Sequence, residues 1–275
     1  MQLFVVLAAG LIMPHLGAGA EMVPDSNGVA MYDYKGTVGR VYNPKVVASY
    51  GIQYFDAYSR NGDVQARQSL VSTADWLVAN AKDMGAYSVW EYGFRWKSYG
   101  GIEPPYTSAL AQAEGIQALL LAHNVTGNDQ YLQAARKAFG AFMVDYEKGG
   151  VASQKAPDKA FLQLLAKPGF EETYVLNGHT NSLLFIWDYY QYTHDSRALI
   201  VFGKGINWLV TDGNLQKFDA GDWSYYDLKG TRARANYHGA HVAQLESLYA
   251  ITGEPVLHEY AERFTRYSDA EAATK

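Results

Sequence analysis

The sequence predicts an all-α fold, an incomplete (α/α) toroid of about four helical hairpins. Long segments carry apolar residues at helical spacing, as at Leu245, Leu248 and Tyr249. Tight polar turns separate pairs of these segments, and in most turns a glycine ends one helix and an acidic or asparagine residue caps the next. The turns recur at roughly seventy-residue intervals, so the repeating unit is a helical hairpin with a variable loop.

Four turns define the hairpins, at residues 58–63, 123–129, 192–195 and 249–255. The helices before the turns are predicted to begin near Pro44, Thr107, Leu176 and Tyr237. The helices after the turns are predicted to run to about Asn80, Asp145, Val210 and Tyr267. Residues 86–99 are rich in aromatic side chains, and we expect them to form a small hairpin or an extended loop at the mouth of the toroid.

The chain ends are predicted to lie outside the helical domain, which we place at residues 43–268. The apolar run from Leu3 to Met13, followed by the small residues 18–20, is typical of a signal peptide cleaved near Ala20. We therefore expect an exported protein, periplasmic or secreted, with no permanent membrane span. Residues 21–42 are predicted to form a short polar N-terminal lead, and residues 269–275 a C-terminal tail.

Composition narrows the classes of partner. The net charge of −5 disfavours nucleic acid and anionic membranes, so an acidic polysaccharide would have to be held by a local basic cluster. The sequence has no cysteine, which excludes a disulfide framework, a thiolate nucleophile and a Cys-ligated zinc site. The 22 tyrosines and 6 tryptophans suit the faces of sugars, but they equally suit the seams between paired helices.

Polar and titratable residues concentrate at three junctions between a loop and a helix, at residues 103–115, 170–179 and 223–241. At the start of a helix the backbone N–H groups and the helix dipole also favour an anion. Four short motifs lie in these junctions in a fixed order. They are SALAQA at 108–113, VLNG at 175–178, YDL at 226–228 and YHGAH at 237–241, the last continuing to Gln244-Leu245, Leu248-Tyr249 and Thr252-Gly253.

The order and spacing of these motifs resemble the C-terminal domain of the D-glucuronyl C5-epimerase family, from about Asn43 to Tyr267. The resemblance implies an isomerase that converts D-glucuronate to L-iduronate residues in an anionic, heparosan-like polysaccharide. It also implies catalytic roles for Tyr226 and Tyr237, which match functional tyrosines of the family. We expect no cofactor and no metal site, and a homodimer is compatible with the sequence.

One departure from the family pattern concerns the acidic pair. In the family this pair is followed by Tyr-Pro, whereas Glu171-Glu172 here is followed by Thr173-Tyr174. The family tyrosine is therefore missing from its place. Glu172 and Tyr174 are the further catalytic candidates at this position.

C5 epimerisation requires a base, an acid on the opposite face of the sugar, and cations or donors that neutralise the substrate carboxylate. A nearby Arg or Lys is expected to lower the pKa of a tyrosine and make its phenolate more accessible. Arg232 is one local cation near the motif tyrosines. The candidate substrate-binding residues are Asn177, Lys229, Arg234, His238, His241, Glu171, Tyr106 and Gln112.

Alternative functions remain open from the sequence. A polysaccharide lyase begins with the same proton abstraction and then eliminates the group at O4. A non-catalytic member of the family would bind a glycan without turnover. A glycoside hydrolase would need two carboxylates flanking the scissile bond, and its candidates are Glu103, Glu172, Asp222 and Asp227.

The candidate residues also have structural interpretations. Tyr237 can pack in the seam of a hairpin, because it shares a helix face with residues further along the same helix. His238 and His241 can be hydrogen-bonded structural groups. Glu171 and Glu172 can be ordinary negative charge at a helix N-terminus.

Overall fold

The computed structural model describes residues 21–273, and its helices form four pairs in which consecutive helices pack against each other. The predicted helical hairpins are therefore confirmed. The proposed signal peptide, residues 1–20, lies outside the described residues. The pairs are α1 (Pro44–Asn61) with α2 (Val64–Asn80), α3 (Ala109–Thr126) with α4 (Asp129–Phe139), α5 (Leu176–Thr193) with α6 (Ser196–Val210), and α7 (Ala235–Thr252) with α8 (Pro255–Ala273).

The turns within the hairpins form by the predicted local chemistry. Three of the first helices end at a glycine in the left-handed region, Gly62, Gly127 and Gly253, with φ of 68°, 70° and 71°. His194 takes this place in the third hairpin, with φ of 53°. The next helices begin at side-chain caps or at a proline: Asp63, Asn128, Asp195 and Pro255.

The chain divides into two compact units. The N-terminal unit comprises residues 21–152 with Leu165–Glu171 and holds α1 to α4, in which α1 packs against both α2 and α3. The C-terminal unit comprises Ser153–Leu164 and residues 172–273 and holds α5 to α8, in which α5 packs against both α6 and α7. All four candidate catalytic residues belong to the C-terminal unit.

Short strands accompany the helices. The predicted N-terminal lead contains an antiparallel sheet of β1 (Glu21–Pro24), β2 (Ala30–Asp33) and β3 (Arg40–Val41). Ala30 and Tyr32 of β2 are buried against Val46 of α1, and this apolar contact stabilises the sheet on the helix. In the same unit β4 (Lys82–Asp83) pairs with β5 (Ser88–Val89). A two-stranded sheet of β6 (Ala152–Ala156) and β7 (Lys159–Leu162), which the sequence analysis did not predict, belongs to the C-terminal unit except for Ala152.

Of the two predictions for the aromatic run at residues 86–99, a small hairpin or an extended loop, the structure shows a hairpin. Trp96 bridges to Ile102, and Tyr92 bridges to Tyr106. The rings of Tyr92 and Tyr106 stack with centroids 4.7 Å apart, and Phe94 completes the buried cluster. The middle of the run is therefore core, and these side chains pack against each other.

Two helix ends differ from the prediction. The helix after the second turn ends at Phe139, and a short 3₁₀ segment over Gly140–Met143 replaces the predicted continuation to Asp145. Val144 is extended, with φ of −109° and ψ of 135°, so the helix cannot continue through it. α8 runs on to Ala273, past the predicted end near Tyr267 and into the predicted tail, because residues 268–273 contain neither glycine nor proline.

Between residues 21 and 273 no helix combines the length and the hydrophobicity that crossing a lipid bilayer requires.

Gln112 and Tyr106, two predicted substrate-binding residues, lie in the interior of the N-terminal unit. The Gln112 amide donates to the backbone carbonyls of Ser88 and Ala138, at 2.8 and 2.9 Å. Tyr106 is only 2% exposed and stacks on Tyr92. The substrate-binding assignments are therefore wrong for the conformation seen here: Gln112 ties the start of α3 to β5 and α4, and Tyr106 is a core ring.

Gln112→Ala should lower the free energy of unfolding by roughly 1–3 kcal/mol, because it removes the donor from two buried carbonyls. Urea-induced unfolding followed by circular dichroism measures the change. Gln130→Ala, on the exposed surface of α4, is the control and should change the free energy of unfolding by less than about 0.5 kcal/mol. Equal effects of the two substitutions would contradict the structural role of Gln112.

Candidate active site

The start of α5 is joined to the YDL motif by backbone pairing. The Leu176 N–H donates to the Tyr226 carbonyl at 3.0 Å, and Val175 forms an antiparallel bridge with Asp227. Along the chain, the paired residues Val175 and Leu176 are flanked by two candidate site residues, Tyr174 before them and Asn177 after them in the first turn of α5. The second and third junctions predicted from the sequence are thus held together, and they form the centre of the candidate site.

Tyr226 and Tyr237 form an aromatic pair beside this junction. Their ring centroids are 4.9 Å apart and the rings are inclined by 58°. Tyr237 lies in the first turn of α7, three residues after the exposed N-cap residue Arg234. Both rings are partly buried, and neither hydroxyl has a hydrogen-bond partner among residues 21–273. Both phenols are thus left with their hydrogen-bonding capacity unused by the described chain.

Burial dominates the ionisation of this pair. It raises the pKa of Tyr226 well above its ordinary value, and the neighbouring Tyr237 and Asp227 act in the same direction. Burial also raises the pKa of Tyr237, while the positive charge of Arg234 opposes that shift. The predicted lowering of a tyrosine pKa by a cation therefore acts on Tyr237 only, and it is smaller than the effect of burial.

Glu172 is the centre of a second polar cluster. Its carboxylate accepts hydrogen bonds from the Ser153 hydroxyl, from Lys155 Nζ at 2.5 Å and from the Tyr174 hydroxyl at 2.5 Å. Partial burial raises the pKa of Glu172, but these three donors outweigh burial and leave the pKa below its ordinary value. Glu172 is therefore a carboxylate whose charged form is favoured by three hydrogen-bond donors, whereas its neighbour Glu171 is exposed.

Tyr174 is held in a sparsely populated backbone conformation, with φ of 43°. Its ring stacks on Trp208 with centroids 5.7 Å apart and meets Phe161 at 4.9 Å. Lys155 Nζ lies 5.3 Å from the centre of the Tyr174 ring. These contacts fix the phenol with its hydroxyl on Glu172, so the tyrosine offered as a substitute for the missing family residue has a defined orientation.

Two helix N-termini near this junction have no side-chain cap. Val175 caps α5 and Arg234 caps α7, and neither contributes a side-chain hydrogen bond to the first turn. Asn177 is 5% exposed, and its Oδ1 has no hydrogen-bond partner in the described chain. The remaining N–H groups and the positive helix end favour an anion, as predicted near Asn177, whereas the unpartnered Asn177 Oδ1 is an acceptor and suits a donor such as a sugar hydroxyl.

His238 and His241 are buried inside the C-terminal unit. His238 Nδ1 accepts from the Ser224 N–H at 3.1 Å, its Nε2 lies 2.9 Å from the Phe264 carbonyl, and its ring stacks on Trp223. His241 Nδ1 lies 2.8 Å from the Ser224 hydroxyl, and burial lowers the His241 pKa to about 3. Both rings are 0% exposed, so the substrate-binding assignment is wrong for them here, and the structural interpretation fits.

The remaining candidates divide by exposure. Asp227 is buried, and its Oδ1 accepts from the N–H groups of Lys229 and Thr231, which shapes the turn after YDL. Lys229 is exposed on that turn. Arg232 pairs with exposed Asp222 at 2.7 Å and covers the Trp223 ring, so its charge is already engaged. In the N-terminal unit, Glu103 is exposed and pairs with Arg95 at 2.6 Å.

The sequence analysis missed the groups that hold Glu172 and Tyr174. Ser153 and Lys155 come from β6, and Trp208 comes from the end of α6. The available signal was the Pro157-Asp158 dipeptide, which is typical of a turn and separates β6 from β7. Within residues 21–273 no three His, Asp or Glu side chains are grouped in a way that could hold a metal ion.

Residues 83–266 match the protein family described as D-glucuronyl C5-epimerase C-terminus. The chain belongs to this family. It is 29% identical over 223 residues to a D-glucuronyl C5-epimerase of Caenorhabditis elegans, covering 74% of this chain and 35% of that protein. It is 32% identical over 197 residues to an uncharacterized protein of Methanocaldococcus jannaschii, covering 71% of this chain and 63% of that one. The chain thus spans less than two thirds of either relative.

Solved structures support the predicted fold class. An unsaturated glucuronyl hydrolase of Streptococcus agalactiae is similar with a TM-score of 0.51 at 19% identity, over 80% of this chain and 56% of that one. A D-mannose isomerase is similar with a TM-score of 0.51 at 13% identity, over 82% of this chain and 60% of that one. At these identities the likeness shows the fold alone, and it confirms that this epimerase-family chain has an (α/α)-toroid type of fold.

Glu172→Gln should destabilise the protein at neutral pH, and the difference from the wild type should shrink in acid. The folded-state pKa of Glu172 is lowered, so its stabilising effect is present above the unfolded-state pKa of about 4.3 and is lost as the pH falls through the folded-state pKa. Urea unfolding at about pH 7 and about pH 3.5 measures both differences.

Glu171→Gln is the matched control for this experiment, since Glu171 is the exposed neighbour. It should change the free energy of unfolding little at either pH. A Glu172→Gln difference that stays constant between the two pH values would contradict a stabilising role for the ionised carboxylate.

Proposed function

We propose that this chain is a C5-epimerase that converts D-glucuronate to L-iduronate residues in a polysaccharide, with Tyr226 and Tyr237 exchanging the proton at C5. The observation that carries the proposal is the contact between these two motif tyrosines, at 4.9 Å between ring centroids and beside Arg234. Membership in the epimerase family supports the same reaction class. The reaction needs an acid and a base, and the tyrosine pair supplies both.

The surroundings of the two tyrosines suggest how the roles divide. Tyr237 is the better base for glucuronate, because Arg234 stabilises its phenolate. Tyr226 is the better acid, because burial and the nearby Asp227 keep its phenol protonated. In the forward direction Tyr237 takes the C5 proton and Tyr226 returns a proton to the opposite face; in the reverse direction the roles exchange.

The substrate carboxylate would be held at the two uncapped helix ends. Removing the proton next to a carboxylate places a second negative charge on that group, so donors aimed at it lower the barrier. Positive potential within one unit comes from the first turns of α5 and α7 and from the cations Arg234 and Lys229. The Asn177 side chain would contribute through its Nδ2 donor. Glu172 and Tyr174 lie next to this group in sequence, and we assign Glu172 the positioning of the Tyr174 hydroxyl.

The hydrolase alternative fits the carboxylates less well. A glycosidase general acid needs a raised pKa, whereas the pKa of Glu172 is lowered by its three donors. Asp227 already accepts two backbone N–H groups in a turn, and Asp222 pairs with Arg232 at an exposed position. The lyase alternative shares the first proton abstraction, so the product distinguishes it.

Tyr226→Phe and Tyr237→Phe should fail in different ways in D₂O with a glucuronate-containing polymer. The wild type should place deuterium at C5 and form iduronate. In Tyr237→Phe, both deuterium incorporation at C5 and iduronate formation should be roughly 10²- to 10⁴-fold slower, because the base is removed. Tyr226→Phe should keep deuterium incorporation into glucuronate and lose iduronate, because deuterium returns only from the face of the remaining base. Proton NMR of the C5 position measures both products.

Tyr249→Phe is the control for the two variants, since Tyr249 lies near the other end of α7 and stacks on His258. It should behave as the wild type. Absence of C5 deuterium with every glucuronate polymer tested would sink the epimerase proposal, and an unsaturated uronate product, seen as rising ultraviolet absorbance, would establish a lyase instead.

Arg234→Gln should raise the pKa of Tyr237, so the rise of kcat/KM with increasing pH, which reports deprotonation of Tyr237, should move to higher pH. At a fixed pH below that limb, exchange should fall by roughly tenfold for each unit of pKa increase. Arg234→Lys keeps the charge and should restore most of the rate. A change in KM alone, with the pH profile unmoved, would show that Arg234 binds the substrate without assisting Tyr237.

A further inference from the structure

The N-terminal unit contains a groove of about 420 Å³ whose lining residues include none of the tyrosine pair or the Glu172 cluster. The groove lies where β3, α2 and the segment after β5 meet. The residues that carry the inference are Arg40, Tyr42, Trp76, Lys82, Glu91 and Gly93.

One wall of the groove is aromatic and fixed. Tyr42 and Trp76 are both partly exposed, with ring centroids 5.1 Å apart. The Tyr42 hydroxyl donates to Asp25 at 2.7 Å, which holds the ring in place. Trp90 is buried at the groove, and its indole N–H donates to the Leu77 carbonyl at 2.8 Å. Partly exposed rings that are held in place suit the C–H face of a pyranose, because they bury apolar area at little entropic cost.

The charged lining is net positive. Arg40 and Lys82 contribute positive charge, and Glu91 pairs with Lys82 at 2.7 Å. Arg40 lies opposite Asp33 in the sheet register, but its exposed guanidinium makes no ion pair or side-chain hydrogen bond among residues 21–273. An unpaired guanidinium binds a carboxylate through two parallel hydrogen bonds. In a chain of net charge −5, this is a local site where an anion can be held.

Gly93 leaves room above the groove. A Cβ atom added at Gly93 would meet nothing within 4 Å, and its backbone is outside the left-handed region. A larger side chain there would therefore fill open space without backbone strain, which provides a direct way to block the groove.

We propose that this groove binds one uronic acid residue, with its carboxylate on Arg40 and its ring against Trp76 and Tyr42. The choice of a uronate rests on the proposed function, since the polymer acted on would supply such residues. The aromatic wall and the guanidinium of Arg40, whose hydrogen-bond donors are unused by residues 21–273 although its charge lowers the pKa of Asp33, together select a carboxylated sugar over a neutral one. The groove is thus a saccharide-binding site in the N-terminal unit of the chain.

The test follows the indole N–H signal of Trp76 by NMR in the full chain, assigned with a Trp76→Phe variant. Methyl β-D-glucuronoside should shift this signal saturably, and methyl β-D-glucoside should bind at least tenfold more weakly. Arg40→Gln should weaken glucuronoside binding by at least tenfold, and Gly93→Leu should abolish the shift.

Two controls keep the result specific. Arg60→Gln removes an exposed arginine of α1, and Gly203→Leu adds a side chain at an open position of α6; both should leave the titration unchanged. The proposal is overturned if Trp76 does not respond to the glucuronoside, if the neutral glucoside binds equally well, or if Gly93→Leu binds like the wild type. Binding needs no turnover, so a saturable Trp76 shift in a chain without C5 exchange would refute the epimerase proposal and leave the groove intact.

Discussion

The candidate site depends on one short stretch of backbone pairing, between Leu176 and Tyr226 and between Val175 and Asp227. The buried carboxylate of Asp227 accepts two N–H groups of the following turn and so fixes the conformation of the YDL segment. Because this segment is pinned to the start of α5, the Tyr226 ring has a fixed place beside Tyr237. The catalytic proposal is therefore built on a loop that is held by the carboxylate of Asp227, which also raises the pKa of the Tyr226 phenol.

A buried polar network supports this arrangement from within. Ser224, two residues before Tyr226, bonds both His238 and His241 of α7, and the Thr180 hydroxyl of α5 donates to Gln244 of α7 at 2.6 Å. Breaking buried hydrogen bonds costs free energy, so these contacts hold the YDL segment, α5 and α7 in fixed positions relative to one another. The histidines of the YHGAH motif are best understood as this support, and the motif contributes its tyrosine to the site and its histidines to the interior.

Local signals predicted the hairpins because each turn carries its own chemistry: a glycine such as Gly62 with positive φ, followed by a side-chain cap such as Asp63.

The errors of the sequence analysis arise because other contacts are not local in sequence. Gln112 matched a family motif, but its partners on β5 and α4 are distant in sequence, and no local pattern shows that its amide is consumed. Lys155 could not be linked to Glu172, because that contact depends on the unpredicted strand β6. Motif matching located Tyr226 and Tyr237, yet their ionisation is set by burial, which spacing does not reveal.

The unequal surroundings of the two tyrosines constrain any epimerase built on them. After one forward turnover Tyr237 carries the substrate proton and Tyr226 has lost its own, so the protein is left in its less stable protonation state. The free energy of that state is set by the difference between the Tyr226 pKa and the Tyr237 pKa. Burial and Asp227 increase this difference by raising the Tyr226 pKa, and Arg234 increases it by lowering the Tyr237 pKa. A small difference lets the reaction run in both directions, whereas a large one traps the pair until solvent returns the proton. Burial of Tyr226 and the charge of Arg234 beside Tyr237 act in the same direction on this difference, and together they set the reversibility of the proposed reaction as well as its rate.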